Sequence, residues 1–186
     1  MSELTPEEFA AFQEIATRVF NAARAGEAAE LAAFLDAGIP VNLTNEKGDS
    51  LLMLASYHGH LDATRILLEK GADPERRNDR GQAPLAGAAF KGEMDIARLL
   101  LDHGAAVDGS GDDGRTALMT AAMFDRIAMV ELFVERGADI EARAADGVTA
   151  EGAARAMGAA KAAERLGALR QDKTASPKER PAAGEA

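Results

Sequence analysis

A chain of 186 residues with 47% hydrophobic content carries enough apolar material for one packed domain, and with 4% aromatic residues and no Trp the core must be built from Leu, Ala, Ile, Val and Met, which favour helices. The absence of cysteine removes disulfides, thiolate metal sites and cysteine nucleophiles. A formal net charge of −10 sets up a field that repels phosphate backbones and anionic lipid heads, so neither nucleic acid nor a membrane surface is an expected partner.

The opening residues "MSELTPEEFA" are acidic where a secretory signal needs a basic start and an apolar run. No stretch approaches the ~20 apolar residues of a membrane span, and a cytoplasmic location is expected. Thr5 at the N-cap, Pro6 in the first turn and Glu8 closing a capping box predict one long helix. Phe9, Phe12, Ile15, Val19 and Phe20 are placed on its inner side.

From there the chain has a period. Gly48, Gly81, Gly114 and Gly147 recur every 33 residues, and so do Gly38, Gly71, Gly104 and Gly137. Three full units start at Asn45, Asn78 and Gly111. In each, a short run (Leu51 to Ser56, Leu85 to Ala89, Leu118 to Ala122) is followed by a second apolar series at helical spacing, such as Leu61, Thr64, Leu67 and Leu68, or Met94, Ala97, Leu100 and Leu101. Two antiparallel helices per unit follow. Neither can bury its apolar face within one unit, so neighbouring units must supply the core. Gly26, Gly59, Gly92 and Gly158 recur at the end of the first helix, where Asp125 takes the slot in the third full unit, and Asp125→Gly is expected to stabilise the fold. After residue 143 the register continues but the apolar series thins to Ala162, Ala163, Leu166 and Leu169. Residues 171–186 have charge, Pro and Gly without periodicity and are expected to form a disordered tail.

Ala83-Pro84-Leu85 and Thr116-Ala117-Leu118, the Ala-Ala pairs at Ala88 and Ala121, Gly59-His60, and Gly-Ala-Asp at Gly71 and Gly137 make this chain resemble ankyrin repeats over roughly residues 12 to 170. It departs from the family where His follows Thr-Pro-Leu, since Met53, Ala86 and Met119 stand there. The resemblance implies an all-α solenoid of stacked ankyrin repeats, capped at both ends. Residues 1–44 would form the N-terminal capping helix and first unit, 45–77, 78–110 and 111–143 the full repeats, and 144–170 the C-terminal capping unit. The alanine-rich composition suits a bacterial member of the family.

"GSGDDG", Gly109 to Gly114, spells G-x-G-x-x-G, with Glu131 at the distance of a ribose-binding acid. It lies in register with the other repeat turns, lacks a preceding strand, and puts Asp112 and Asp113 where a phosphate would sit, so a structural turn is expected. Glu131 shares its repeat position with Arg65 and Arg98 on an expected exposed face. Asp108, Ser110 and Asp112 imitate calcium ligands, but Asp113 and Met119 replace the Gly and Glu such a loop requires, and the acids are expected to be solvated. His58, His60 and His103 are too scattered for a zinc site, and Ser50 and Ser56 lack a base and an oriented acid. Asp62, Arg65 and Glu69, like Asp95, Arg98 and Asp102, are spaced for pairs along one helix. No catalytic, cofactor or metal residue is assigned.

Tyr57 and Phe90 share one repeat position, Met123 follows it at the next step, and Phe124 stands beside Met123. The resemblance implies that these positions and the turn tips line a concave binding face. The expected site is therefore an apolar stripe flanked by His58 and Lys91, with Lys47, Asp49, Arg80, Gln82, Asp113 and Arg115 on the tips. The alternative for the rings is packing between units. The function expected is non-enzymatic binding of another protein by a monomer, as adaptor, inhibitor or scaffold. A self-associating structural module is the alternative, with metal-dependent or small-molecule binding behind it.

Overall fold

The computed structural model describes residues 5–175, so residues 1–4 and all but the first five residues of the expected tail lie outside it. Among the described residues ten helices form five antiparallel pairs. These are α1 (Pro6–Ala25) with α2 (Ala28–Asp36), α3 (Leu51–Tyr57) with α4 (Leu61–Glu69), α5 (Pro84–Lys91) with α6 (Met94–Asp102), α7 (Ala117–Met123) with α8 (Ile127–Glu135), and α9 (Ala150–Ala156) with α10 (Ala160–Ala175). None of the ten is long and apolar enough to cross a membrane.

Helices of seven to nine residues are marginal on their own, so their ends and faces must be held from outside. The ends are held by hydroxyls. Ser50, Thr116 and Thr149 accept the N–H of Met53, Met119 and Gly152, and Thr5 forms the expected capping box with Glu8. Ala83 has no such oxygen, and Pro84 removes one of the orphan donors instead. The faces are held by stacking in chain order. Inner helices α1, α3, α5, α7 and α9 form one row, and outer helices α2, α4, α6, α8 and α10 form the other. Ala55, Ala88, Ala89, Ala121, Ala122 and Ala154 let the inner row approach closely, while Leu67, Ile96, Leu100, Leu132 and Phe133 fill the layer between rows. Met53 and Met119, which replace the family's His, are both buried, Met119 within the core cluster and Met53 outside it.

Polar contacts repeat with the same offset as the packing. The side-chain oxygens of Asn42, Glu75 and Asp108, each one period apart, accept the backbone N–H of Asp73, Ala106 and Asp139 at 2.8, 3.0 and 2.9 Å. Asp108 is thus an exposed acid, as expected, that also clamps one repeat to the next. At the tips, Asp79 N–H donates to Lys47 O (3.1 Å) and Ala145 N–H to Asp113 O (2.9 Å). This approach is why the tips carry glycine: a Cβ on Gly48 or Gly114 would stand 2.8 Å from the amide nitrogen of Asp79 or Ala145, besides needing positive φ.

Four expectations are corrected by the packing. Val19 and Phe20 are buried, but Phe12 and Ile15 are 46% and 38% exposed, because the first turns of α1 overhang a stack whose other inner helices are only seven or eight residues long. Nothing is described for the Phe9 side chain. The last helix runs through Ala175, five residues past the expected boundary, since Ala, Gln, Asp and Lys carry enough helix propensity to continue it. The outer-helix charges pair across repeats more than along a helix: Lys70 with Asp36 (2.6 Å), Arg136 with Asp102 (2.7 Å), and both nitrogens of an Arg165 fork with the half-buried Glu131. Glu131 is therefore held by α10 instead of standing free.

Asp125 is the fourth. It has φ 53°, the one non-glycine residue with positive φ among those described, but its Oδ1 accepts the N–H of Ala162 at 2.8 Å, capping the first turn of α10. The covering position in the next unit is Ala159, where His60, Glu93 and Arg126 crowd Gly26, Gly59 and Gly92 in the other units, so a side chain fits. A left-handed non-glycine residue costs about 1 kcal/mol and a lost helix cap about 0.5–2 kcal/mol, so the two effects offset. Asp125→Gly should melt within about two degrees of wild type, while Asp125→Ala, which keeps the strain and loses the cap, should melt about three to six degrees lower. Thermal denaturation followed by circular dichroism measures both. A second expectation concerns acid. The Arg165 guanidinium holds the Glu131 carboxyl below its ordinary 4.5, so the pair's contribution is present above that value and is lost as pH falls through the depressed one. The Tm difference between wild type and Glu131→Gln should be largest near neutrality and shrink once pH drops below 4.5.

Candidate protein-binding groove

Each inner helix ends on the same side of the stack, so residues one period apart form rows along it. One row is Tyr57, Phe90, Met123 and Ala156; the row one residue on is His58, Lys91, Phe124 and Met157. Tyr57 and Phe90 are 37% and 41% exposed, Phe124 is 41% exposed and Met157 54%, while Met123 is half-buried. The large side chain therefore shifts from the first row to the second between α5 and α7. The rings touch one another. Tyr57 and Phe90 lie parallel with centroids 6.4 Å apart, Phe90 and Phe124 meet edge to face at 4.9 Å, and the Lys91 ammonium stands 4.9 Å from the Tyr57 centroid. The stripe is thus both packed along its length and open to solvent.

Beside it lies a hollow of about 480 Å³ lined by Asp49, Tyr57, His58, Arg80, Gln82 and Phe90, six of the residues the sequence singles out. Its floor, which the sequence reading missed, is Met53, Leu54, Ala86, Gly87 and Thr120, with Asn78 on the wall. Helical spacing could have found it: Leu54, Gly87 and Thr120 stand three residues before Tyr57, Phe90 and Met123 and share their face. Gly87 deepens the floor. It sits inside α5 without positive φ, and a Cβ there would meet Tyr57 Cδ2 at 3.4 Å.

The remaining tip residues do not reach this hollow. Asp113 accepts its own turn's Arg115 N–H at 3.0 Å, and the Arg115 guanidinium bridges Asp113 and Asp146 at 3.7 and 3.8 Å. Lys47 projects from the first tip. The "GSGDDG" segment is the third tip, closed by Gly111 N–H to Arg115 O at 3.1 Å, with Asp112 facing Arg77 at 3.9 Å. His60 lies near-parallel to His58 with ring centroids 6.2 Å apart, its Nε2 bonding Arg24 O at 2.7 Å, and His103 bonds Leu99 O at 2.9 Å. Ser50 and Ser56 are buried and bonded to the backbone of Met53.

Two family models match the chain, one for three copies of the ankyrin repeat over residues 70–144 and one for many copies over residues 34–88. An ankyrin repeat protein of Pseudomonas aeruginosa is 54% identical over 54 residues, which make up 29% of this chain and 32% of that protein. Ankyrin repeat domain-containing protein 29 of Homo sapiens is 42% identical over 60 residues, 32% of this chain and 20% of that protein. The matches thus span a third or less of either relative. Ankyrin repeats are in general modules of protein–protein interaction, and period, helix pairing and both family models agree that this chain belongs to the ankyrin-repeat family.

Proposed function

We propose that the chain is a non-enzymatic module, acting as a cytoplasmic monomer, that seats a partner protein on the face carrying Tyr57, Phe90 and Phe124. One observation carries this reading: four large apolar side chains, Tyr57 and Phe90 in one row and Phe124 and Met157 in the adjoining one, stand exposed on the side of the stack that holds a hollow with polar walls. Single exposed apolar residues are ordinary, but an aligned set with a polar rim has the make-up of an interface. Rigid repeats suit this role, because a preformed groove loses little entropy on docking. Ser50 and Ser56, whose oxygens are engaged with their own helix, offer no nucleophile, which supports a binding role over a hydrolytic one.

The tip residues Lys47, Asp113 and Arg115 and the flanking His58, Lys91 and Met123 form the rim of this surface. Affinity capture from the native cell with wild type and with Tyr57→Ala/Phe90→Ala/Phe124→Ala should recover a partner on the first and lose it on the second. Identical captures would refute the groove. Gly87→Ala provides a separate check: helix propensity should raise stability by about 0.5–1 kcal/mol, while the methyl against Tyr57 fills the floor and lowers partner recovery.

A further inference from the structure

We infer that the groove takes an acidic segment of the partner, with a carboxylate on Arg80 and an apolar side chain running toward Phe124 and Met157. This rests on the concave-face reading above and adds the partner's chemistry to it.

Asp49 and Arg80 are the two residues of fixed charge lining the hollow, and their hydrogen-bonding states differ. Asp49 is half-buried; one oxygen accepts the Asn45 amide at 3.2 Å and the other the Asn78 amide at 2.8 Å. Arg80 is exposed and its guanidinium, with five N–H donors, has no acceptor among the described residues. Arg80 is thus the fixed charge of the lining that no described protein group pairs, and a planar carboxylate is the group that matches a guanidinium fork.

The rows show the same polarity. Along the tips, Lys47 and Arg80 occupy the slot that Asp113 and Asp146 occupy in the next two units, where Arg115 stands between the two acids. Along the helix ends, His58 and Lys91 give way to Phe124 and Met157. The groove is therefore basic over its first two full repeats and apolar beyond them. Asp49 is the one acid that lines the hollow, and both its oxygens are engaged by Asn45 and Asn78; Glu46, Asp79 and Asp112 stand on the tips outside the lining, Asp79 over Gly48 and Asp112 over Gly81. Exposed charges farther from Arg80 than the ~8 Å Debye length of physiological salt are largely screened, so the net charge of −10 bears on this contact less than the side chains beside it do.

Phage-displayed random peptides panned on the full chain, with counter-selection on Tyr57→Ala/Phe90→Ala, test the inference. Enriched peptides should carry Asp or Glu a few residues from a large apolar side chain. Their affinity should fall about tenfold for Arg80→Ala and further for Arg80→Glu and with added salt. It should be unchanged for Arg65→Ala, a matched exposed arginine on α4. Melting curves check that each variant is folded. Basic or uncharged enriched peptides, or an Arg80→Ala chain that binds as wild type, would overturn the acidic assignment and leave the groove intact. If no peptide distinguishes wild type from Tyr57→Ala/Phe90→Ala, the groove reading falls and this assignment with it. A mass by light scattering that rises with concentration, and falls back in Tyr57→Ala/Phe90→Ala, would give the surface to a second copy and overturn it as well.

Discussion

Burial of each helix pair by its neighbours is the constraint on which the rest depends. A seven-residue helix such as α3 has neither the length to nucleate well nor a partner within its own unit large enough to cover Leu51, Leu52 and Leu54. Covering them takes α1 on one side and α5 on the other. The apolar seam is consequently one body from Val19 to Leu166, and no unit inside it has a stability of its own. Alanines on the inner row set how closely the units approach, and leucines and isoleucines on the outer row set how far the other edges stand apart.

Apolar burial is not directional, so something else must fix register. The Asn42, Glu75 and Asp108 clamps do so, each tying an acceptor to an amide in the following unit at nearly the same distance. The tip contacts do so again on the opposite side. A slip of one residue between units would break all of these bonds at once and move each unit's apolar residues out of the seam, so the register is fixed by many modest contacts acting together. At Gly48 and Gly114 the next unit's backbone occupies the space a side chain would need, while Gly81 faces the Asp112 side chain and Gly147, with open space around it, is called for by its positive φ alone.

The periodic part of this arrangement was legible in the sequence because it is repeated: two glycine series, the alanine pairs and the helical spacing of the leucines place the helices within a residue or two of where they stand. What was not legible is what acts between units at offsets other than the period. The clamps join residues 31 apart and the outer ion pairs residues 34 apart, so a reading along one helix paired Asp62 with Arg65 and missed Glu131 with Arg165. The overhang of α1 has no periodic signal, since Phe12 and Ile15 keep helical spacing whether or not a neighbour covers them. For the groove, the aromatic positions and tips were legible; the floor was not, because Gly87 reads as one more small residue until the surrounding side chains are seen.

Period and departure from period thus divide the labour. Positions that recur in kind hold the stack, and several residues that break the pattern cluster at one hollow. Gly87 stands where its counterparts are Leu54, Thr120 and Ala153, and it opens a hollow at the expense of helix propensity. Arg80 follows Lys47 in a slot that turns acidic one unit later, and the exposed apolar group moves from the row of Tyr57 and Phe90 to that of Phe124 and Met157. Asp125 shows that breaking the pattern is not enough to mark a binding residue, because its carboxylate is engaged by the N–H of Ala162. Arg80 and Gly87 differ in that respect: one leaves donors without acceptors and the other leaves space without atoms, and both do so in the same hollow. Of the two, Gly87 is the one a stack selected for stability alone would replace, since it gives up helix propensity.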